Sequence, residues 1–221
     1  MTEYKEKNTV LPEGLYGITA EKFSNGRTNV EVVERMIEGG MKIIQYREKR
    51  VSKSYRAILE ECRRIRELTR KAGVTFIVND HVDVGLLVNA DGVHIGQDDL
   101  PVGEVRKLIG NDKIIGLSTH SPDQAQEAIR AGADYIGVGP IFATRTKEDV
   151  CDPVGVTYLE WVVANITLPF VAIGGIKLAN IDQIARRGAK TICLVTEIVG
   201  ATDIPMRINE LNTALARYSI S

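Results

Sequence analysis

The chain has 221 residues, 44% of them hydrophobic and 26% charged, which is enough for one α/β domain with a full core. Its formal net charge of −1 provides no global field for nucleic acid or an anionic membrane, so an anionic ligand has to be held by local groups. No apolar run reaches the roughly 20 residues that cross a bilayer, and the polar start MTEYKEKNTVLPEG lacks the apolar segment of an export signal.

Residues 1–14 read as an arm ahead of a single catalytic domain at 15–221. Residues 15–19 (LYGIT) form a first strand-like run. A helix at 30–37 follows, stopped by Gly39-Gly40. Residues 41–46 (MKIIQY) read as the second strand. The clearest helix comes next, with Tyr55, Ile58, Leu59, Cys62, Ile65 and Leu68 repeating at three and four, Ser52 placed to cap it and Gly73 to end it. Strands at 75–78 and 92–95 flank a short helix at 81–88. A helix at 102–109 leads to a fifth strand at 113–117, and Pro122 opens the next helix, which stops at Gly132. A sixth strand at 134–138 precedes a long polar loop and a helix at 156–165. Strand seven at 169–173, a helix at 179–187, strand eight at 191–195 and an amphipathic helix at 203–218 complete the chain. Eight strand-helix units at this length predict a single (β/α)8 TIM barrel. A doubly wound open sheet is the competitor, but Gly17 and Gly26 do not make its GxGxxG turn.

Polar residues follow nearly every strand at the end where a barrel keeps its chemistry. If strand two persists, Gln45, Arg47 and Lys49 share one face. Three donors, two of them cationic, suit a multiply charged anion such as pyrophosphate; a surface ion-pair cluster with Glu48 and Glu60 is the alternative. Asp80 and Asp99 are candidate Mg²⁺ ligands, because that ion prefers oxygen and often takes one or two carboxylates beside waters and phosphate oxygens. Asp98 reads instead as a helix cap or first-turn charge. Gly174-Gly175 and Val195-Thr196 lie where barrels hold phosphate on backbone N–H groups, a plain tight turn being the alternative. Thr144, Arg145, Thr146 and Lys147 sit in a loop of about 17 residues, long enough to be functional. His81, His94 and His120 lack zinc spacing, and His94 alternates with Val93 and Ile95 as a core or lining residue. Cys62, Cys151 and Cys193 form no CxxC and point to reduced thiols in the cytoplasm. No Ser-His-Asp or Cys-His pattern stands out.

The ordered set QYREK at 45–49, VND at 78–80, DGVHIGQDDLP at 91–101, GLSTH at 116–120, GADYIGVGPIFATRTK at 132–147 and AIGGI at 172–176 strongly resembles the thiamine phosphate synthase family. The similarity is collinear from about residue 15 to residue 204, and although IGGI recurs in many barrels, the set in this order is specific. The resemblance implies a Mg²⁺-dependent transferase that joins a hydroxymethylpyrimidine diphosphate to a thiazole phosphate, with loss of pyrophosphate. It places the pyrimidine diphosphate on the QYREK segment (Gln45, Tyr46, Arg47, Glu48, Lys49), Asn79 and Ser118. It places the metal on Asp80 and Asp99, and the thiazole phosphate near Thr144, Arg145, Thr146, Gly175, Val195 and Thr196, with Lys147 near the diphosphate. Arg47, Lys49, Ser118 and Lys147 are the expected catalytic set. Threonine at 196 departs from the family's serine, but a contact through its backbone N–H survives the change. The implied partners are small molecules, with no nucleic acid or membrane, and a homodimer is common among such barrels. The rivals are a thiazole tautomerase-like isomerase, a non-catalytic phosphate-ligand binding protein, and a sugar-phosphate epimerase or decarboxylase. The diphosphate and metal positions argue against the first two, and the want of a Lys or Asp base against the third.

Overall fold

The computed structural model describes residues 11–48, 53–144, 146 and 151–218. Among these, eight parallel strands close in sequence order into one barrel: β1 (Gly14–Ile18), β2 (Ile43–Tyr46), β3 (Thr75–Asn79), β4 (Gly92–Ile95), β5 (Ile114–Thr119), β6 (Tyr135–Val138), β7 (Phe170–Ile173) and β8 (Thr191–Cys193), with β8 pairing back onto β1. The expected (β/α)8 architecture is the observed one. None of the helices in the described residues is long and apolar enough to cross a membrane.

The helices form where local chemistry starts and stops them. Helix α1 (Asn29–Glu38) opens on a reciprocal cap, in which the Thr28 side chain accepts from the Glu31 N–H and the Glu31 carboxylate accepts from the Thr28 N–H. Helix α2 (Tyr55–Ala72) is capped by Ser54, whose Oγ accepts from the Ala57 N–H at 3.2 Å, and ends at left-handed Gly73. The cap is therefore two residues later than the sequence reading put it; Ser52 lies outside the described residues. Helices α3 (Val82–Leu87), α4 (Val102–Ile109), α5 (Pro122–Ala131), α6 (Gly155–Asn165) and α7 (Ile181–Ala185) each follow one strand. Strand eight stops at Cys193, short of the expected residue 195, and the chain turns at once into a short helix, α8 (Val195–Val199), before α9 (Ile204–Ala216).

Two apolar layers result. The larger fills the space between strands and helices, from Val32 and Met36 on α1 to Ile208 and Leu211 on α9. The smaller lies inside the barrel and contains Ile43, Ile77, Ile114, Val171 and Cys193. Leu11, in the segment assigned from sequence to an arm, is 4% exposed and belongs to this inner layer. Inward residues beyond this layer are polar, because strand side chains alternate and the next inward positions on β2, β3 and β4 are Gln45, Asn79 and His94.

Candidate functional site

The floor of the barrel mouth is a continuous chain of hydrogen bonds. Gln45 Nε2 donates to the Tyr16 hydroxyl at 3.0 Å, the Tyr16 and Tyr135 hydroxyls are 2.8 Å apart, and Tyr135 lies 2.9 Å from His94 Nδ1. His94 Nε2 lies 2.9 Å from Ser118 Oγ. The relay joins β2, β1, β6, β4 and β5, and burial pushes both phenols well above their ordinary pKa, so they remain neutral. Space for the Tyr135 and His94 rings comes from glycine at the inward position of β5. A methyl group on Gly116 would stand 2.1 Å from Tyr135 Cζ and 2.5 Å from His94 Nδ1.

Gln45 and Ser118, named from the sequence, are thus brought into one network. Tyr16 and Tyr135 were missed. Their available signal was strand alternation, which puts Tyr16 on the same inward face as Ile18 and Tyr135 opposite Gly116 in the ladder.

At the rim, Asp80 leaves β3 with φ 61°, a left-handed conformation that Asp tolerates better than most residues. Its N–H bonds the His94 carbonyl at 2.9 Å, tying it to the end of β4. Asp99 lies exposed in the turn after β4, where its Oδ2 accepts from the Gly96 N–H at 2.7 Å. The two aspartates therefore belong to adjacent strand ends. Among the described residues no group of three or more His, Cys, Asp or Glu side chains is placed to hold a metal. Asp98 is exposed in the same turn, while the cap position of α4 belongs to Pro101, so the expected capping role is not found.

The QYREK segment divides. The ladder of β2 ends at Tyr46, and Arg47 is held beyond it by Thr19, whose Oγ1 accepts the Arg47 N–H at 2.9 Å. Lys49 lies outside the described residues. Tyr46 and Glu48, expected as substrate contacts, turn the opposite way. Tyr46 is fully buried toward the helices and donates to Glu61 Oε2 at 2.7 Å, and Glu48 Oε2 accepts from Asn29 Nδ2 at 3.1 Å. The reason is strand alternation: if Gln45 faces the barrel interior, Tyr46 must face the helix layer. Both residues anchor the loop in this way. Lys53 completes this anchor through ion pairs with Glu21 and Glu61. Burial pulls its ammonium pKa down, but hydrogen bonds to the two carboxylates outweigh that and hold it above the ordinary lysine value. Asn29 Oδ1 is buried in the same cluster without a hydrogen-bond partner. Tyr46→Phe is expected to cost about 1.5–3 kcal/mol, the value of a hydrogen bond to a charged group, while both substrate KM values stay unchanged. Urea unfolding and steady-state kinetics on the variant check this; an altered KM without a stability loss would restore Tyr46 to the substrate surface.

The loop after β6 is fastened to the end of β7. The Ile141 N–H bonds the Ile173 carbonyl at 2.9 Å, the Phe142 N–H bonds Gly174 at 3.0 Å, and the Val154 N–H returns to the Pro140 carbonyl at 2.8 Å. Thr144 and Thr146 follow, their hydroxyls 3.0 Å apart, while Arg145 and Lys147 lie outside the described residues. Gly175 has φ 64°, and a Cβ there would meet Ala143 O at 2.6 Å and Phe142 Cβ at 2.7 Å. Only glycine lets these two loops approach so closely. Val195 and Thr196, expected at a strand end, are instead the first two residues of α8, whose opening N–H groups have no partner within the helix.

A sequence profile described as thiamine monophosphate synthase matches residues 15–198. The chain is 64% identical over 208 residues to a thiamine-phosphate synthase of Pelotomaculum thermopropionicum, covering 94% of each chain. It is 57% identical over 205 residues to one of Lawsonia intracellularis, covering 93% of this chain and 94% of that one. Among solved structures, a thiamine phosphate pyrophosphorylase from Pyrococcus furiosus superposes with a TM-score of 0.84 at 33% identity, covering 93% of this chain and 96% of that one.

Proposed function

The chain belongs to the thiamine monophosphate synthase family, and from that premise we propose how its barrel mouth serves the reaction. It is a transferase that joins 4-amino-2-methyl-5-hydroxymethylpyrimidine diphosphate to a thiazole phosphate, giving thiamine phosphate and pyrophosphate. The observation that carries the assignment of roles is the floor itself, where Gln45, Asn79, His94 and Ser118 replace the apolar lining with polar groups at the upper ends of adjacent strands.

In this proposal Gln45, Asn79 and Ser118 receive the pyrimidine, and Arg47, Lys49 and Lys147 receive its diphosphate. The thiazole phosphate rests against Thr144, Arg145, Thr146, Gly175 and the opening turn of α8 at Val195 and Thr196, where N–H groups face an anion. Asp80 and Asp99 would hold Mg²⁺. They fit it because both are oxygen donors, and a carboxylate pair leaves the remaining positions to water and phosphate oxygens. When bound, the ion neutralises charge on the departing pyrophosphate.

The chain's own residues do the remaining work. The bond that breaks joins the pyrimidine methylene carbon to a diphosphate oxygen, and the amino-substituted ring bears the resulting positive charge. Arg47, Lys49 and Lys147 take up negative charge as it develops on the leaving group. The thiazole nitrogen then forms the new bond to the methylene carbon. That nitrogen is already nucleophilic, so no general base is required, in keeping with the neutral phenols and hydroxyl groups of the floor. The protein is proposed to be a cytoplasmic homodimer whose ligands are small molecules, not nucleic acid or membrane.

Purified protein supplied with both substrates and Mg²⁺ is expected to release thiamine phosphate and pyrophosphate in equal amounts, followed chromatographically. Absence of product under conditions where a related synthase turns over would overturn the assignment.

A further inference from the structure

Four links of the floor network fix which way each hydrogen points. Gln45 presents Nε2, a donor only, to the Tyr16 oxygen. If Tyr135 also donated to Tyr16, the Tyr16 hydrogen would be buried with no acceptor, a loss that buried polar groups avoid. Tyr16 therefore donates to Tyr135, and Tyr135, having accepted, donates to His94 Nδ1. A histidine that accepts at Nδ1 carries its hydrogen on Nε2 and donates it to Ser118 Oγ. Both phenols keep their hydrogens because burial raises their pKa values. The Ser118 oxygen then accepts from His94 on one lone pair, so its hydroxyl hydrogen is left to donate to a group above the floor. At the other end, Gln45 has committed its amide nitrogen below and leaves its carbonyl oxygen as an acceptor.

We infer that Tyr16, Tyr135 and His94 are positioning residues that set substrate specificity, by holding Gln45 as an acceptor and Ser118 as a donor toward one heterocycle. The inference rests on the reading above that these two side chains meet the pyrimidine. An aminopyrimidine supplies the complement, an exocyclic N–H for Gln45 and a ring nitrogen for Ser118. A 4-oxo analogue reverses the pattern, with a carbonyl in place of the amino group and a hydrogen on a ring nitrogen. A site built to hydrogen-bond one pattern rejects the analogue lacking it by as much as about 10,000-fold. The polarity belongs to the whole chain, because reversing one link reverses every other.

The test has two readouts. Nitrogen-15 NMR of the unliganded protein, with the His94 signals assigned through His94→Gln, is expected to show the Nε2–H tautomer. Tyr135→Phe removes the donor to Nδ1 and is expected to abolish that preference. Kinetically, the same variant should raise KM for the pyrimidine diphosphate and leave KM for the thiazole phosphate unchanged. It should also lower the preference for the 4-amino over the 4-oxo diphosphate by about 10- to 100-fold. Tyr16→Phe, one link further back, carries the kinetic test if Tyr135→Phe does not fold. An Nδ1–H tautomer in the parent protein would overturn the inference, as would an undiminished preference in the folded variant. Failure of the parent protein to make thiamine phosphate would strike the functional assignment, while the tautomer is read without any turnover.

Discussion

If Asp99 holds the metal as proposed, Asp99→Asn is expected to lower kcat/KM for the pyrimidine diphosphate by about 100- to 10,000-fold, because metal stabilisation of a leaving group is worth several kcal/mol and each 1.36 kcal/mol is a factor of ten. The choice of asparagine separates two roles of one side chain. Asp99 Oδ2 accepts the Gly96 N–H, and an amide oxygen can keep that bond, so the turn after β4 survives. Its melting temperature should therefore stay near that of the parent, with the loss confined to turnover and to the Mg²⁺ concentration needed for half-maximal rate. Asp99→Ala gives up the hydrogen bond as well and should cost about 1 kcal/mol in stability besides the activity. Chelation of divalent ions from the parent protein should reproduce the activity loss alone. Parental rates for Asp99→Asn at ordinary Mg²⁺ would remove this residue from the metal site.

The second large effect is expected on the opposite side of the mouth. Gly175→Ala forces a side chain into a left-handed conformation that costs about 1–2 kcal/mol for residues other than glycine. It also drives a methyl group against Ala143 O and Phe142 Cβ, at 2.6 and 2.7 Å before any relaxation. Ala143 O is backbone and cannot swing away as a flexible side-chain end would. Either residues 142–144 move or Gly175 retreats, and both displace the proposed thiazole phosphate cradle relative to Thr144. A shift of about 1 Å at a reacting pair can cost 100-fold, so kcat/KM for the thiazole phosphate should fall by about that factor. KM for the pyrimidine diphosphate, whose proposed site lies across the barrel, should change little. A variant that loses stability in urea yet keeps the parent's KM for the thiazole phosphate would show that Gly175 serves packing alone.

The architecture was legible because its signals are local. Residues 92–95 were read as a strand and are one, and α4 spans the expected residues 102–109. Gly73 and Gly132 end their helices in the left-handed conformation that a helix stop requires. At the end of the barrel the expected strand 191–195 overruns the observed one, because β8 stops at Cys193 and β-branched Val195 opens α8 instead of extending the strand. Around the candidate site, the motif residues Gln45 and Ser118 join the floor network, whereas Tyr46 and Glu48, in the same QYREK run, bond toward the helix layer. A contiguous motif takes no account of alternation, which sends every second side chain to the other face. Tyr16 and Tyr135 stand 119 positions apart in the chain and meet only through barrel closure, so neither one's neighbourhood reveals the bond between them.

Strand β8 is only three residues long, and it pairs with both β7 and β1. On a ribosome, then, a growing chain carries two open sheet edges until residue 193 has emerged, and open edges invite pairing with other chains. After one residue, Leu194, come Val195 and Thr196, the last part of the proposed phosphate cradle to be made. Sealing of the sheet and completion of the proposed cradle are thus nearly one event in synthesis, so a nascent chain whose sheet is still open also lacks part of that cradle.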